Sequence, residues 1–459
     1  MAAPAAVTSP AELPPLLAAP PRPARPLSTL RLLKVLPVNT LAACDEALFD
    51  EPIVERRLLA CRLFVVSDPA GIRRIMQDNV ENYPRLAVIR RLFRFGGGSG
   101  MLAAEGEVWR RHRRLLTPAF DHRAVLADLP AMAELAGRLN EYLASVPLGE
   151  DIDIGETFAH FVTALTARLF APEEPAIDPV LYRLGQYPGR YSLFDFLPTP
   201  RWLHALDPGR RSRARVAEFR PLFDRLIAER RRADYEGPRD LLWRLANARD
   251  RDTGDGLSAE ELRDEAFTLG ATAATPLRIF PWAWYALARC PEAERRLHAE
   301  LDTVLAGATP MPETLPRLVY LRRLIDETMR LYPPSPTMLR TARDDDVVCG
   351  RHIPRRSVVA ILPWVVHRHR RLWEDPDHFD PDRFLPERAA GRSRYAHLPF
   401  SVGPHACIGA SLAMMEITVA IAVVAQRFRL RLVPGRPIEP IGWTNLHPKG
   451  GIRATVEPR

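Results

Sequence analysis

Phe400-Ser401-Val402-Gly403-Pro404-His405-Ala406-Cys407-Ile408-Gly409 is the stretch on which the reading of this chain turns. A cysteine sits on a loop bracketed by two glycines, directly before an apolar run from Ile408 to Ala425. That run reads as a helix. Cys407 then lies at or just before a helix N-terminus, where backbone N–H groups point outward and the dipole favours an anion. A thiol so placed is biased toward thiolate, which is a strong metal ligand. Gly403 permits a turn that a Cβ would strain, and Gly409 leaves room for a flat partner close to the backbone. The alternative is a buried structural cysteine, since free cysteine is among the most buried residue types.

The spacing Phe-x-x-Gly-x-x-x-Cys-x-Gly is met at all four fixed positions. In this the stretch resembles the haem-binding loop of the cytochrome P-450 family. The resemblance implies haem b as cofactor and Cys407 as the axial ligand of its iron, the thiolate case of haem ligation. Phe400, Gly403 and Gly409 then shape the cofactor's seat. His405, two before the cysteine, stands where the family has a residue near a propionate.

Working outward, Trp109 and Arg113 lie four apart in Gly106–Phe120, hence on one helix face. The resemblance gives this pair to a haem propionate, for which a planar guanidinium suits a carboxylate. A helix over Leu315–Leu331, stopped by Tyr332-Pro333-Pro334, carries Glu327 and Arg330 three apart. Asp380-Pro381-Asp382-Arg383-Phe384 brings a second arginine. The resemblance implies that Glu327, Arg330 and Arg383 form a buried structural network behind the haem. A carboxylate shared by two guanidiniums has its charge and donors satisfied, whereas a lone one does not. Between these segments, Arg340 is implied as a further propionate contact, and Thr337 and Met338 as pocket lining. His367 and His369 have no third metal ligand nearby and read as structural.

Ser258-x-x-Glu261 is a capping box, and the helix it opens is expected to run to Arg289, roughly 45 Å at 1.5 Å per residue. By resemblance it crosses over the haem. The family reads Ala/Gly-Gly-x-Asp/Glu-Thr-Thr/Ser there; this chain reads Ala271-Thr272-Ala273-Ala274-Thr275-Pro276. Thr275 keeps the catalytic hydroxyl, Ala271 and Thr272 are expected in the pocket wall, and Ala274 replaces the acid. Splitting O2 needs protons at the distal oxygen, so the relay must run through water or another acid. Pro276 removes an N–H and clashes with the Thr272 carbonyl, and Pro281 repeats this at Leu277. At about 3 kcal/mol each, the two are expected to break the helix and free the Thr272 carbonyl for a water.

The remaining totals bound the reading. A hydrophobic share of 47% supports a large core. Net charge is +8, but 62 of the 64 basic residues are arginine and 56 acidic residues offset them. Nucleic-acid binding is not favoured, and a basic face suits an acidic electron-transfer partner. Five scattered cysteines argue for a reducing, cytoplasmic compartment. Residues 1–29 read as an Ala/Pro-rich flexible tail and 30–459 as one domain. No run is long and apolar enough to span a membrane apart from Ala406–Ala425, which contains Glu416 and reads as a core helix.

Smaller expectations complete the chain. Arg62–Val66 is a strand, and Asp68 and Pro69 start a helix. Gly96–Gly100 is a mobile loop, and residues 210–232 form an amphipathic basic surface helix. Arg427–Val433 pairs with Arg453–Val456. The fold implied is mainly α with small β-sheets, a single cytochrome P-450 domain. The activity implied is insertion of one oxygen atom from O2 into an apolar small molecule, with electrons from a separate ferredoxin or flavodoxin-type partner. Two rivals stand: a haem-thiolate enzyme using peroxide or rearranging its substrate, as Ala274 allows, and a non-catalytic haem sensor.

Overall fold

The computed structural model describes residues 15–36, 38–58, 61–90, 98–186 and 219–459. Long helices form the body, and four small sheets lie among them. The four-stranded sheet runs β1 (Ile53–Leu58), β2 (Cys61–Val66), β7 (Val358–Ile361), β4 (Met338–Thr341). β2 and β7 are parallel although nearly 300 positions separate them, so this sheet ties an early segment of the chain to a late one. As expected, Asp68 caps the helix after β2, accepting from the Ala70 and Gly71 N–H groups, with Pro69 in the first turn.

β8 (Phe428–Leu432) pairs antiparallel with β11 (Arg453–Pro458), the pairing read from alternation. A third strand, β3 (Asp151–Asp153), joins β11 on its other edge; three residues are too few to show a period. β9 (Pro440–Gly442) and β10 (Leu446–Pro448) form a separate hairpin, and β5 (Asp346–Val348) and β6 (Arg351–Ile353) another.

The core lies where the Leu129–Ser145, Ile154–Phe170, Phe280–Arg289, Val319–Leu331 and Ala410–Ala425 helices meet. Its aromatic centre pairs Trp282 with Tyr332, stacked at 3.9 Å between centroids, and Phe158 with Phe280 at 4.3 Å. Such pairs add to the burial of their large apolar area. The Val319 helix starts four residues later than expected, after a short 3-10 turn at Leu315–Arg317. Of the basic helix expected over 210–232, Arg220–Arg230 is helical, with Phe223, Leu226 and Ile227 buried, and 210–218 lie outside the described residues.

Three expectations are corrected. Residues 15–23 do not behave as a free tail. Pro15 accepts from the Phe379 N–H, the Ala18 N–H donates to the Tyr285 hydroxyl, the Tyr332 hydroxyl donates to the Ala18 carbonyl, and Arg22 pairs with Asp377. Secondly, the glycine loop is held at its described end, where the Ser99 N–H donates to Asp264 at 2.7 Å; Gly96 and Gly97 lie outside the described residues.

The third correction concerns the long helix. Opened by the expected capping box at Ser258, it stops at Ala273. Pro276–Arg278 forms a 3-10 turn, and a second helix runs Phe280–Arg289. The break expected at Pro276 is present. The Thr272 carbonyl is not left free, however: it accepts the Thr275 N–H at 2.9 Å in a tighter turn. Pro281 falls in the first turn of the second helix, where its missing N–H costs nothing.

Candidate active site

The Cys407 loop is closed by its own backbone. The Cys407 N–H donates to the Phe400 carbonyl at 2.8 Å, and the Ala406 N–H to the Gly403 carbonyl at 3.1 Å. Gly403 has φ +72°, and a Cβ there would lie 2.0 Å from the Met76 carbonyl oxygen. Its role is to seat the loop on the 74–78 helical turn; it does not line the cavity. Gly409 behaves otherwise. A Cβ on it would meet nothing within 4 Å, and it lines a cavity of about 1720 Å³ beside Cys407.

Cys407 is exposed, but to this cavity. The helix begins three residues later, at Ala410. Burial pushes the thiol up from its ordinary value, and the Gly409 N–H and the Arg113 charge only partly offset it. Burial therefore opposes the expected thiolate bias, while the Gly409 N–H and Arg113 favour it. A metal would itself displace the proton.

Around the loop stands a cationic cluster. Trp109, buried on the Gly106–Leu116 helix, packs on His405 with ring centroids 4.0 Å apart and planes tilted by 36°. Arg113, one turn on, donates from Nη1 to the Ala406 carbonyl at 2.8 Å. Arg85 donates from Nη2 to His405 Nδ1 at 2.9 Å. Arginine has no acceptor, so His405 Nδ1 accepts and the ring is neutral. Consistently, burial together with Arg85, Arg340 and Arg113 holds its pKa down to about 3. Arg340 is buried, bridges to Arg85 through the backbone, and leaves Nε without a partner. Burial and the Arg85 charge pull it down to about 10.

Among the described residues the cluster of Arg85, Arg113 and Arg340 contains one carboxylate, Glu105, which pairs with Arg85 at 3.3 Å and is felt by Arg340. The excess of two positive charges matches the two propionates of haem. With the open face at Gly409 and a thiol beside it, these residues fit that group. Arg85 was not legible in the sequence: it is one arginine among 62, and its partner His405 lies 320 positions away.

Behind the loop, Glu327, Arg330 and Arg383 come together, all buried. Glu327 accepts from Arg330 Nε at 2.7 Å and Nη2 at 2.8 Å, from Arg383 Nε at 3.0 Å, and from the Asp380 N–H at 2.8 Å. The remaining guanidinium N–H groups reach the carbonyls of Glu374, Asp375, Pro376, His378 and His367. His367 is structural, as expected: Nε2 accepts the Leu398 N–H at 2.7 Å, and Nδ1 donates to the Arg330 carbonyl. Among the described residues no His/Cys/Asp/Glu cluster suits a metal.

On the far side, Thr268, Leu269, Thr272, Ala273, Thr275 and Pro276 line the cavity, as do Thr337 and Met338. Ala271 does not; the helical twist turns it away from the face shared by 268, 269 and 272. The Thr272 hydroxyl is tied to the Thr268 carbonyl at 2.9 Å, whereas that of Thr275 has no protein partner among the described residues. Ala274 supplies no acid, but Glu416 lines the same cavity from the Ala410–Ala425 helix, which packs against the 276–278 turn. Its carboxyl is buried, Oε1 is unbonded, and burial holds its pKa well above the ordinary value. The signal for Glu416 was in plain sight, as the one charge in an apolar run of twenty residues.

Comparison with known proteins agrees with this geometry. The model of the cytochrome P450 family matches residues 45–452. Cyclooctatin synthase of Streptomyces melanosporofaciens is 35% identical over 376 residues, 79% of each chain. Cyclooctat-9-en-7-ol 5-monooxygenase of the same organism is 33% identical over 83% of each. Pentalenene oxygenase of Streptomyces avermitilis is 30% identical over 89% of this chain and 90% of its own. The crystal structure of the cytochrome P450DA heme domain superposes with a TM-score of 0.78 at 26% identity, covering 89% and 90%. Among the described residues no helix is long and apolar enough to cross a membrane. The chain belongs to the cytochrome P450 family and is an oxidoreductase that incorporates molecular oxygen with haem b as its cofactor.

Proposed function

We propose that the chain is a haem-thiolate monooxygenase acting on a largely apolar small molecule, with Cys407 as the axial ligand and electrons from a separate ferredoxin or flavodoxin-type donor. The observation that carries this is Cys407 facing the cavity beside Gly409, with an uncompensated pair of positive charges at its rim. Trp109, Arg113, Arg340 and His405 hold the propionates, joined by Arg85. Phe400 and Gly403 set the loop, and Glu327, Arg330 and Arg383 fix the wall behind it.

Haem held through a thiolate supplies the electron-rich iron at which O2 is cleaved and one oxygen atom passes to substrate carbon. The chain positions, excludes water and moves protons. The Thr275 hydroxyl, without a protein partner among the described residues, would hold a water by hydrogen bond on the distal side. Glu416, protonated by its burial, takes the place of the acid missing at Ala274. Thr337, Met338, Leu269 and Thr272 wall the substrate. Relatives named for oxidising an alkene and an unsaturated alcohol support a hydrocarbon-rich substrate. The five free cysteines support a reducing, cytoplasmic setting.

The test is the carbon-monoxide difference spectrum of the reduced protein. It should be that of a haem thiolate and disappear in Cys407→Ser, while an unchanged spectrum refutes the assignment. Ala274 favours a second reading, use of peroxide. Turnover with peroxide alone, and none with reductant, ferredoxin and O2, would select it.

A further inference from the structure

The cavity holds a second basic feature that the cofactor-facing cluster does not use. Arg278 ends the Pro276–Arg278 turn, three residues beyond Thr275, and lines the cavity. Its backbone N–H donates to the Thr275 carbonyl at 3.0 Å, which fixes where the side chain starts. The side chain is half-buried and makes no hydrogen bond or ion pair among the described residues. Of the other arginines on the cavity wall, Arg56 pairs with Asp45, Arg85 with Glu105, Arg113 bonds the Ala406 carbonyl, Arg340 belongs to the cofactor-facing cluster, and Arg57 is exposed on β1, far along the chain from the distal turn.

Arg278 is also electrically alone among carboxylates. Burial by itself lowers its pKa, and burial by itself raises that of Glu416, so neither compensates the other. The titratable group that senses Arg278 is His447, whose pKa is lowered by burial and then by the Arg278 charge. His447 sits on β10 opposite Ile441 of β9 and lines the same cavity. The hairpin is rigidly placed. Asn39 donates from Nδ2 to the Pro440 carbonyl at 2.9 Å and accepts the Gly442 N–H at 3.1 Å, and the Leu446 N–H donates to the Pro334 carbonyl at 2.9 Å. The Arg278 guanidinium and the His447 ring thus stand on two fixed elements, in a wall whose other members include Ile279, Leu269, Leu362 and Ile417.

A guanidinium taken from water into apolar surroundings without a counter-charge is costly. A ligand carboxylate returns that cost, because five N–H donors in a planar fork match its two oxygens. We propose that Arg278, with His447 beside it, anchors a carboxylate on the substrate, so that the substrate is a hydrocarbon body ending in one carboxylate. The proposal rests on the monooxygenase reading and sharpens it. Anchoring three residues past Thr275 fixes one end of the molecule near the distal turn and selects the carbon presented for oxidation. A site built for an oxyanion also rejects an analogue lacking it, since its own donors would be left unpaired.

The test uses the full-length, haem-loaded protein and two matched sets of probes: dodecanoic acid, dodecan-1-ol and methyl dodecanoate; and abietic acid, abietinol and methyl abietate. Affinity is read by calorimetry and by the shift of the haem absorption band at pH 7.5. In at least one set the acid should bind about 10- to 100-fold tighter than its alcohol and ester, the range a charged hydrogen bond supplies. Arg278→Gln should remove that preference while leaving alcohol binding within about threefold, and Arg278→Lys should keep part of it. No acid preference in either set, or a preference that survives Arg278→Gln, overturns the proposal. If Arg278→Gln loses its pigment, the calorimetric comparison of acid and alcohol on Arg278→Lys decides, and an acid preference undiminished from wild type overturns the proposal. Failure of the haem-thiolate spectrum would overturn the function proposed above and leave the calorimetric comparison standing.

Discussion

Glu327→Gln changes no shape and one charge, which makes it a sharp probe of the wall behind the cysteine loop. In the native chain two buried guanidiniums share one buried carboxylate, so the cluster carries a single surplus positive charge. Glutamine leaves two, and its amide NH2 faces an N–H donor where Oε1 or Oε2 had accepted. Breaking a buried pair in this way costs about 3–5 kcal/mol. Arg383→Met is the contrasting change. It leaves Glu327 matched to Arg330 alone, with no surplus charge, and forfeits the bonds to the Glu374 and Asp375 carbonyls. Its expected cost is about 1–3 kcal/mol. At ~2.1 cal/mol/K per residue, a chain of 459 residues loses roughly 1 °C of Tm per kcal/mol. Glu327→Gln should therefore lower Tm by about 3–5 °C and Arg383→Met by less. Differential scanning calorimetry of the haem-loaded proteins measures both. If Arg383→Met proved the more damaging, charge balance would not be what Glu327 supplies.

Three other expectations rest on single sites. Glu416 is held protonated by burial. The folded state therefore binds that proton more tightly than the unfolded chain, and the stability it confers is full below the ordinary carboxylate range and drains as pH rises toward the folded pKa. Glu416→Gln should flatten the fall in urea midpoint between pH 5 and pH 8; an unchanged slope contradicts the assignment. The two loop glycines should separate. Gly403→Ala meets the Met76 carbonyl at a positive φ and should cost more than about 2 kcal/mol. Gly409→Leu, facing open cavity, should leave the haem-free protein's Tm unchanged and cut haem per chain, and full haem content in that variant would deny Gly409 its place in the seat. His112→Ala removes the partner that bonds buried Glu265 at 2.7 Å, and should cost about 3–5 kcal/mol, read from the denaturation midpoint.

How much of this was legible in the sequence follows from the range over which each signal acts. The capping box at Ser258, the Asp68 cap and the Glu327–Arg330 pair are interactions over three or four positions, so their spacing is their geometry. The cysteine loop is nearly as local, since the Phe400 carbonyl and the Cys407 N–H close it within seven residues. Arg85, by contrast, is defined by partners elsewhere: His405 at its side chain and Arg340 across a backbone bridge. No pattern around Tyr83-Pro84-Arg85 announces either. The segment 15–23 looked free for the same reason. Its composition is that of a tail, and what holds it are the Phe379 N–H and the hydroxyls of Tyr285 and Tyr332.

The distal turn shows how a local signal can be right about the break and silent about its consequence. Pro276 marked the place, and the helix does end three residues before it. A regular helix shows a cavity a stripe about 100° wide. Here six of the eight positions from Thr272 to Ile279 line it. The change from 3.6 to 3 residues per turn at Pro276–Arg278 spreads these residues around the opening instead of alternating them between cavity and core. That is how a threonine and an arginine, both without side-chain partners among the described residues, and a proline come to share one wall. It also bears on the missing acid. A carboxylate at position 274, four positions before Arg278, would be a candidate counter-charge for its guanidinium. With alanine there, the guanidinium is left for the substrate and the proton is left to Glu416. Restoring the acid by Ala274→Asp should then weaken carboxylate binding at the same time as it makes Glu416→Gln harmless to turnover. A variant that gained the second effect without the first would separate the two roles and refute the coupling.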